Sequence, residues 1–264
     1  MAMVMQTVSL CDSLCIKLTD DSKVSASCGL SYVPGDERNL AVRAALRFLE
    51  RTDRTGLGLH IDLKKAIPVG AGMAGGSADA AAVLRALNRA LGMPLSAGEL
   101  CAVGETVGSD VAFCLRGGTM LATGRGEILT ALPALPDCRF VICKPGFSVS
   151  TPALFKQLDS VRLTCHPDTA GLLSALEKGD LPGICRRMYN VFEDVDKSQR
   201  FRTVRSIKCA LLDCGALGAV MTGTGSAVFG VFRDEGSAEL ACETMKRSGD
   251  TPFCCVAAPV GTLL

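Results

Sequence analysis

The sequence is short of net charge, of metal-ligand clusters and of long apolar runs, and each shortage removes a class of function. With 28 Lys and Arg against 27 Asp and Glu in 264 residues, the formal charge is +1. No basic field invites nucleic acid, so any anionic ligand must be held locally. No apolar run reaches the roughly 18 to 20 residues of a membrane span, and the start lacks the charged-then-apolar layout of a signal peptide. A cytoplasmic protein that acts on neither membrane nor nucleic acid is expected. The 14 cysteines contain no C-x-x-C pair, and only His60 and His166 are there to join them, so no metal-ligand set is assigned. Cys143, inside "RFVICKP", reads instead as a small buried hydrophobe in a reducing compartment. Internal repeats and low-complexity tracts are absent as well.

What the chain does have is enough apolar material, 48% of residues with 21% charged, to bury a core without disulfide staples. Alternation of Leu14, Ile16 and Leu18 with polar neighbours predicts a strand. Val42, Ala45, Leu46 and Leu49 then share one face of a short surface helix, with Asn39 as N-cap and Gly56 as stop. Leu57, Leu59, Ile61 and Leu63 form a second strand, with His60 on its exposed phase. Beyond a glycine loop, Ala80, Val83, Leu84, Leu87 and Leu91 make a helical stripe opposite Asp79, Arg85, Asn88 and Arg89, and Ser77 stands at the expected N-cap. A further helix is expected from about Ser96 to Val107, then a turn and hairpin through "GSDVAFCLRGGTMLATGRGEIL". A break at Pro133 to Pro136 divides the chain into expected domains 1–136 and 137–264. The second half reads as a strand at Arg139, helices between Ala170 and Cys214, a strand–turn–strand at "GAVMTGTGSAVFGVF", a helix near Ser237 and a closing strand. Strands and helices mixed without strict alternation predict an α+β protein of two lobes.

The most informative stretch is "IPVGAGMAGGSADAAAVLRAL", starting at Ile67, where Gly70, Gly72, Gly75 and Gly76 lie between a strand and a helix. Four glycines in seven positions exceed what a tight turn needs. A glycine loop at a helix N-terminus offers converging backbone N–H groups and the positive end of the helix dipole, the makings of a phosphate site. The literal G-x-G-x-x-G is not followed by the second strand and acidic residue of a dinucleotide fold. A Walker A loop would require a lysine inside the loop, and a protein-kinase glycine loop would require a hairpin after it.

These residues resemble the GHMP kinases, the superfamily of galactokinase, homoserine kinase and mevalonate kinase. The resemblance rests on "PVGAGMAGGSADAA" from Pro68, "NLAVRAA" from Asn39, "VGSDVAFCLRGGTMLATGRGE" from Val107, "KPGFSVSTPALF" from Lys144 and "MTGTGSAVFGVF" from Met221. It is nearest to the branch of 4-diphosphocytidyl-2-C-methyl-D-erythritol kinases. It implies a GHMP-kinase-like fold: an N-terminal mixed sheet with helices, and a C-terminal ferredoxin-like lobe. It also implies phosphoryl transfer from ATP, with Mg²⁺, to a hydroxyl of a small molecule of the non-mevalonate isoprenoid pathway. Residue by residue, it places Pro68, Val69, Gly70, Ala71, Gly72, Met73, Ala74, Gly75, Gly76, Ser77 and Ala78 around the ATP phosphates, and Asn39 and Lys65 at the adenine. Ser77 would turn its hydroxyl to a phosphate or to Mg²⁺. Asp110 would be the catalytic aspartate, which orients the hydroxyl and takes its proton. Thr222, Gly223, Thr224, Gly225 and Ser226 would form the turn that closes over the phosphates, and Phe155, with Thr151 nearby, would stack on the cytosine.

The family's opening strand, with a lysine that partners the aspartate, and the Tyr-His turn after it would precede Met1 by the resemblance. Those elements amount to roughly 20 to 30 residues, and two readings follow: a start placed too late, or a relative that no longer performs the reaction. The alternatives for function are another GHMP acceptor (homoserine, mevalonate or a sugar) and a nucleotide-binding protein without turnover.

Overall fold

The structure, a computed structural model, describes residues 2–163, 165–195, 198–249 and 251–264. Its contacts divide the chain into two compact units. The first comprises Met1–Ile67, Ala74–Ala131 and Val260–Leu264; the second comprises Pro68–Met73 and Leu132–Pro259. The second unit thus takes up the chain beside the Pro133 break, but the front of the glycine loop belongs to it too.

In the first unit the strands are β1 (Ala2–Gln6), β2 (Ser13–Thr19), β3 (Val24–Cys28), β4 (Gly58–Lys64), β5 (Thr119–Thr123) and β6 (Ile128–Ala131). They form a mixed sheet, in which β4 runs antiparallel to β2 and parallel to β3, and an antiparallel sheet of order β1-β5-β6. The helices are α1 (Leu40–Arg51), α2 (Gly75–Ala90), α3 (Ala97–Val107) and α4 (Val111–Arg116). The Asn39 side chain accepts from the Ala41 N–H at 3.0 Å, as its sequence position predicts for an N-cap. Phe48 and Leu49 of α1 pack with Leu84 and Leu87 of α2 and Ile61 of β4 in one apolar core. Each such side chain contributes roughly 1.5 to 3 kcal/mol by leaving water.

Five details differ from the sequence reading. Helix α1 stops at Arg51, before Gly56, because Asp53 takes a left-handed φ of 54°. Helix α2 opens two residues before Ser77, at Gly75, so Ser77 lies inside the first turn; the N-cap position is Ala74, which has no capping side chain. The polar face of α2 is a solvent face only at Arg89, with Arg85 half-buried, since α1, α3, α4 and β2 all pack on this helix. Asp79 and Asn88 are buried there, and Asn88 exchanges hydrogen bonds with the Leu95 backbone. His60 is one-third exposed (33%) rather than free in solvent, because Ser25 and Ser27 on β3 bond its two ring nitrogens. Finally, "VAFCLR" after Asp110 is the short helix α4 and not part of a turn, because Val111, Ala112, Phe113 and Leu115 find a buried helical face.

The second unit contains β7 (Arg139–Lys144), α5 (Thr151–Asp159), α6 (Thr169–Glu177), α7 (Leu181–Arg186), α8 (Phe192–Val195), α9 (Gln199–Asp213), β8 (Gly218–Met221), β9 (Val228–Phe232), α10 (Glu235–Ser248) and β10 (Phe253–Ala257). Its antiparallel sheet has the order β10-β7-β9-β8. A strand, a helical crossover, a hairpin, a second helix and a closing strand in that order make the ferredoxin-like pattern, with several helices in the first crossover. The core beneath it joins Phe201, Val204 and Leu211 of α9 to Val141 and Phe232. Cys143, Cys242 and Cys254 are buried there with sulfur–sulfur separations of 3.5 and 3.2 Å. Burial pushes the Cys242 thiol up to about 11, so it serves as a small hydrophobe.

Candidate active site

Of the site residues in the first unit, Lys65 follows the end of β4, and Ala74 to Ala78 form the start of α2. Lys65, one residue past β4, is 6% exposed and donates to the carboxylates of Asp12 and Asp79, the latter at 2.6 Å. Asp12 in turn accepts the backbone N–H groups of Ala66 and Ile67 at 2.5 and 2.8 Å. The strand exit, the first residues after it and the second turn of α2 are therefore clasped by one ion triad. Burial alone would lower the Lys65 pKa, but its hydrogen bonds to Asp12 and Asp79 outweigh burial and raise it. Burial pushes Asp79 up to about 6, and its Oδ1 is buried without a hydrogen-bond partner among the described residues. Asn39 is buried as well: its amide donates to the Pro34 carbonyl at 2.8 Å while its oxygen caps α1.

At the head of α2, Ala74 sits at φ 50°, a left-handed conformation that an L side chain adopts only at a cost. Ser77, 8% exposed, occupies the first turn. With no side-chain cap, the opening N–H groups of this helix are the anion-binding kind. Asp110 lies between α3 and α4. Its carboxylate does not cap α4, and the Ser109 hydroxyl donates to it at 3.4 Å. Burial raises its pKa above the usual carboxylate value, and the Ser109 bond opposes the rise only in part.

In the second unit, the loop residues Pro68–Met73 are stitched to the turn between β8 and β9. The Ala227 N–H donates to Ala71 O at 3.0 Å, and the Thr222 hydroxyl donates to Gly72 O at 3.0 Å. Gly72 has φ 74°, and a Cβ there would stand 2.4 Å from Thr222 O and 2.9 Å from the Gly225 backbone. Both backbone angle and space require glycine at that position. The turn itself closes with Gly225 N–H to Thr222 O at 2.9 Å, and Ser226 is fully buried with its hydroxyl on Phe147 O at 2.5 Å. Thr151, the first residue of α5, touches Thr224 hydroxyl to hydroxyl at 2.8 Å. Phe155, one turn on, is half-buried and meets Phe192 edge-to-face at 5.0 Å. Within this unit the structure thus brings together the loop, the Thr222 turn and Thr151.

Sequence reasoning missed the triad partners Asp12 and Asp79. Asp79 lay inside the glycine stretch, but its helical phase pointed to the polar side, which reads as solvent when the packing around α2 is unknown. Asp12 carries no local signal, because its partners are 53 residues or more away. The Ser148 side chain, next to which a Cβ on Gly70 would come within 2.6 Å, was likewise unmarked.

Comparison with known proteins identifies the family. The GHMP kinase N-terminal domain family matches residues 39–118, and the GHMP kinase C-terminal family matches residues 172–251. The 4-diphosphocytidyl-2-C-methyl-D-erythritol kinase of Listeria monocytogenes serotype 4a is 43% identical over 231 residues, covering 88% of this chain and 78% of the relative. The protein of the same name from Clostridium perfringens is 41% identical over 244 residues, covering 92% and 84%. A crystal structure of 4-(cytidine 5'-diphospho)-2C-methyl-D-erythritol kinase superposes with a TM-score of 0.79 at 30% identity, covering 98% of this chain and 90% of the other. A homoserine kinase from Cytophaga hutchinsonii shares the fold, with a TM-score of 0.78 at 24% identity. An uncapped helix behind a glycine loop, in a chain this similar to those proteins along most of its length, makes the protein a member of the GHMP kinase family, in the branch of the 4-diphosphocytidyl-2-C-methyl-D-erythritol kinases.

Proposed function

We propose that this protein transfers the γ-phosphoryl group of ATP to a hydroxyl of 4-diphosphocytidyl-2-C-methyl-D-erythritol. The observation that carries the chemistry is Asp110, a carboxylate made more basic by burial and not spent on capping its helix. In this reading Asp110 accepts the proton of the substrate hydroxyl as its oxygen bonds to the γ-phosphorus, and the bond from that phosphorus to the ADP oxygen breaks. The uncapped start of α2 and the Pro68–Met73 loop neutralise phosphate charge through backbone N–H groups. Phe155 offers a ring face to the cytosine, with Thr151 nearby at the start of the same helix.

Oxygen donors suit a hard cation, and the Ser77 hydroxyl is the donor in the first turn of α2. No group of three His, Cys, Asp or Glu side chains among the described residues forms a metal cage. Mg²⁺ would therefore be held mainly through the nucleotide phosphates and water, as this ion commonly is. When bound, MgATP supplies the phosphoryl group and shields its charge.

The test is incubation with MgATP and the cytidyl substrate, with phosphorus NMR to follow ADP and the new phosphomonoester. Homoserine, mevalonate and galactose serve as competing acceptors. Product from the cytidyl substrate alone is expected. Product from another acceptor alone would transfer the assignment to that substrate, and ATP binding without any product would leave a nucleotide-binding relative.

A further inference from the structure

The segment from Asn190 to Val195 has no part in the function just described, yet it touches both the phosphate-closing turn and the aromatic residue assigned to the cytosine. The Asn190 amide nitrogen donates to Met221 O at 2.8 Å and to Gly223 O at 2.7 Å, while its oxygen accepts the Phe192 N–H at 3.0 Å. All of its strong bonding capacity is directed at backbone. Glu193, only 11% exposed in its side chain, accepts the Met221 N–H at 2.8 Å with one oxygen and pairs with Lys208 through the other. Asn190 and Glu193 thus grip the carbonyl and the N–H of Met221, the last residue of β8, where the turn leaves the sheet. The turn passes this hold on to the glycine loop through the bonds Thr222–Gly72 and Ala227–Ala71. Between these two anchors lies Phe192, whose ring meets Phe155 edge-to-face at 5.0 Å and 78°.

From this juxtaposition we infer that Asn190, Phe192 and Glu193 are positioning residues: Asn190 and Glu193 set the nucleotide-phosphate turn, and Phe192 sets the pose of Phe155 toward the cytidine end of the substrate. The inference rests on the proposed kinase reading. Its physical content is a division of labour inside one short segment. Half-buried Asn190 and buried Glu193 hold the backbone at the foot of the turn, because a backbone carbonyl left unpaired is costly and would move the turn. An edge-to-face ring contact holds an aromatic orientation, because rotating either ring forfeits it. Residues two positions apart should therefore act on different substrates. A segment that merely stabilised the fold would act on both alike.

The test uses the full chain, with mant-ATP fluorescence for nucleotide binding and steady-state kinetics for both substrates. Asn190→Asp keeps size and the acceptor for Phe192 but removes both donors, so mant-ATP affinity should fall and KM for ATP should rise about tenfold, for two hydrogen bonds lost. KM for the cytidyl substrate should stay within twofold of wild type, on the order of experimental scatter. Phe192→Leu should show the converse, a severalfold rise in KM for the cytidyl substrate with mant-ATP affinity unchanged. Glu193→Gln retains an acceptor for Met221 and should keep most of the wild-type ATP affinity, whereas Glu193→Ala should not. Equal effects of Asn190→Asp and Phe192→Leu on both substrates, or no effect of either, would overturn the inference. Should Asn190→Asp fail to fold, the Glu193 pair decides: equal ATP affinity in Gln and Ala variants would reject the bracket. Wild-type protein that does not bind mant-ATP would reject the kinase reading itself, a result distinct from a wild type that binds and variants that bind equally well.

Discussion

Two acidic side chains of the first unit, Asp79 and Asp110, are both lifted above the usual carboxylate range by burial, and they differ in what faces them. Asp79 meets the Lys65 ammonium at 2.6 Å, and the same ammonium pairs with Asp12. Asp110 meets a serine hydroxyl at 3.4 Å. Desolvation is common to both, so the shift by itself does not distinguish a structural carboxylate from a reactive one. The partner does. A buried carboxylate already bound to a cation is committed to holding two chain segments together. One that carries the cost of burial without a cation is available for a proton or a substrate hydroxyl.

The largest expected effect tests the Asp110 side of this comparison. Asp110→Asn removes the proposed proton acceptor while keeping shape, and kcat should fall by about 10² to 10⁴-fold, the range for a general base. Affinity for mant-ATP should hold near wild type; a parallel loss of nucleotide binding would give Asp110 a binding role instead. Because its folded pKa is raised, Asp110 charged at neutral pH costs stability, and that cost disappears as pH falls through the folded value. The Asn variant should accordingly melt at a higher temperature than wild type at pH 7.5, with the difference shrinking on acidification.

The same direction of shift sets the pH–rate profile. Only the ionised Asp110 accepts a proton, so kcat/KM should drop on the acid side through a pKa above the ordinary value of about 4. An acid limb at the ordinary carboxylate position would show that the carboxylate is more solvated than its burial implies.

The Asp79 side breaks through its partner. Lys65→Met leaves Asp12 and Asp79 buried together with no cation, and losing one member of a buried ionic group costs about 3 to 5 kcal/mol. Urea unfolding measures this directly. Neutralising all three residues as Asp12→Asn, Lys65→Met and Asp79→Asn should recover much of the loss, since a buried ionic group contributes little beyond a neutral one of similar shape. If the triple variant were as unstable as Lys65→Met alone, hydrogen-bond geometry at Ala66 and Ile67 would be the dominant contribution, and not charge.

Local signals explain which parts of this site the sequence announced. The Pro68 loop, Asn39 and the Thr222 turn are contiguous stretches with their own turn or cap chemistry, and each took the expected local form. Strands β1 and β3 were not anticipated, because "AMVMQ" and "VSASC" have weak alternation and become strands by pairing with β5 and β4. Serine is the usual cap residue, so Ser77 reads as a cap in the sequence, whereas the glycines let the helix begin two residues earlier. Asp12, Asp79 and the Asn190–Glu193 bracket depend on partners distant in sequence, and periodicity carries no record of such partners.

The smallest expected effect concerns Ala74, which ends the glycine loop and starts the helix that bears Asp79. A left-handed alanine costs about 1 to 2 kcal/mol, and glycine at the same place gives back part of that gain through its freer unfolded chain. Ala74→Gly should therefore stabilise the protein by about 0.5 to 1 kcal/mol in urea unfolding. The comparison is sharpened by what happens to mant-ATP binding. Unchanged affinity would mean that the loop is held in place by its bonds to Thr222 and Ala227, so that the strain at Ala74 is incidental. Weaker binding in the more stable variant would mean that alanine restricts the loop exit to the conformation that nucleotide requires. The strain would then be a cost the fold bears for preorganising its phosphate site.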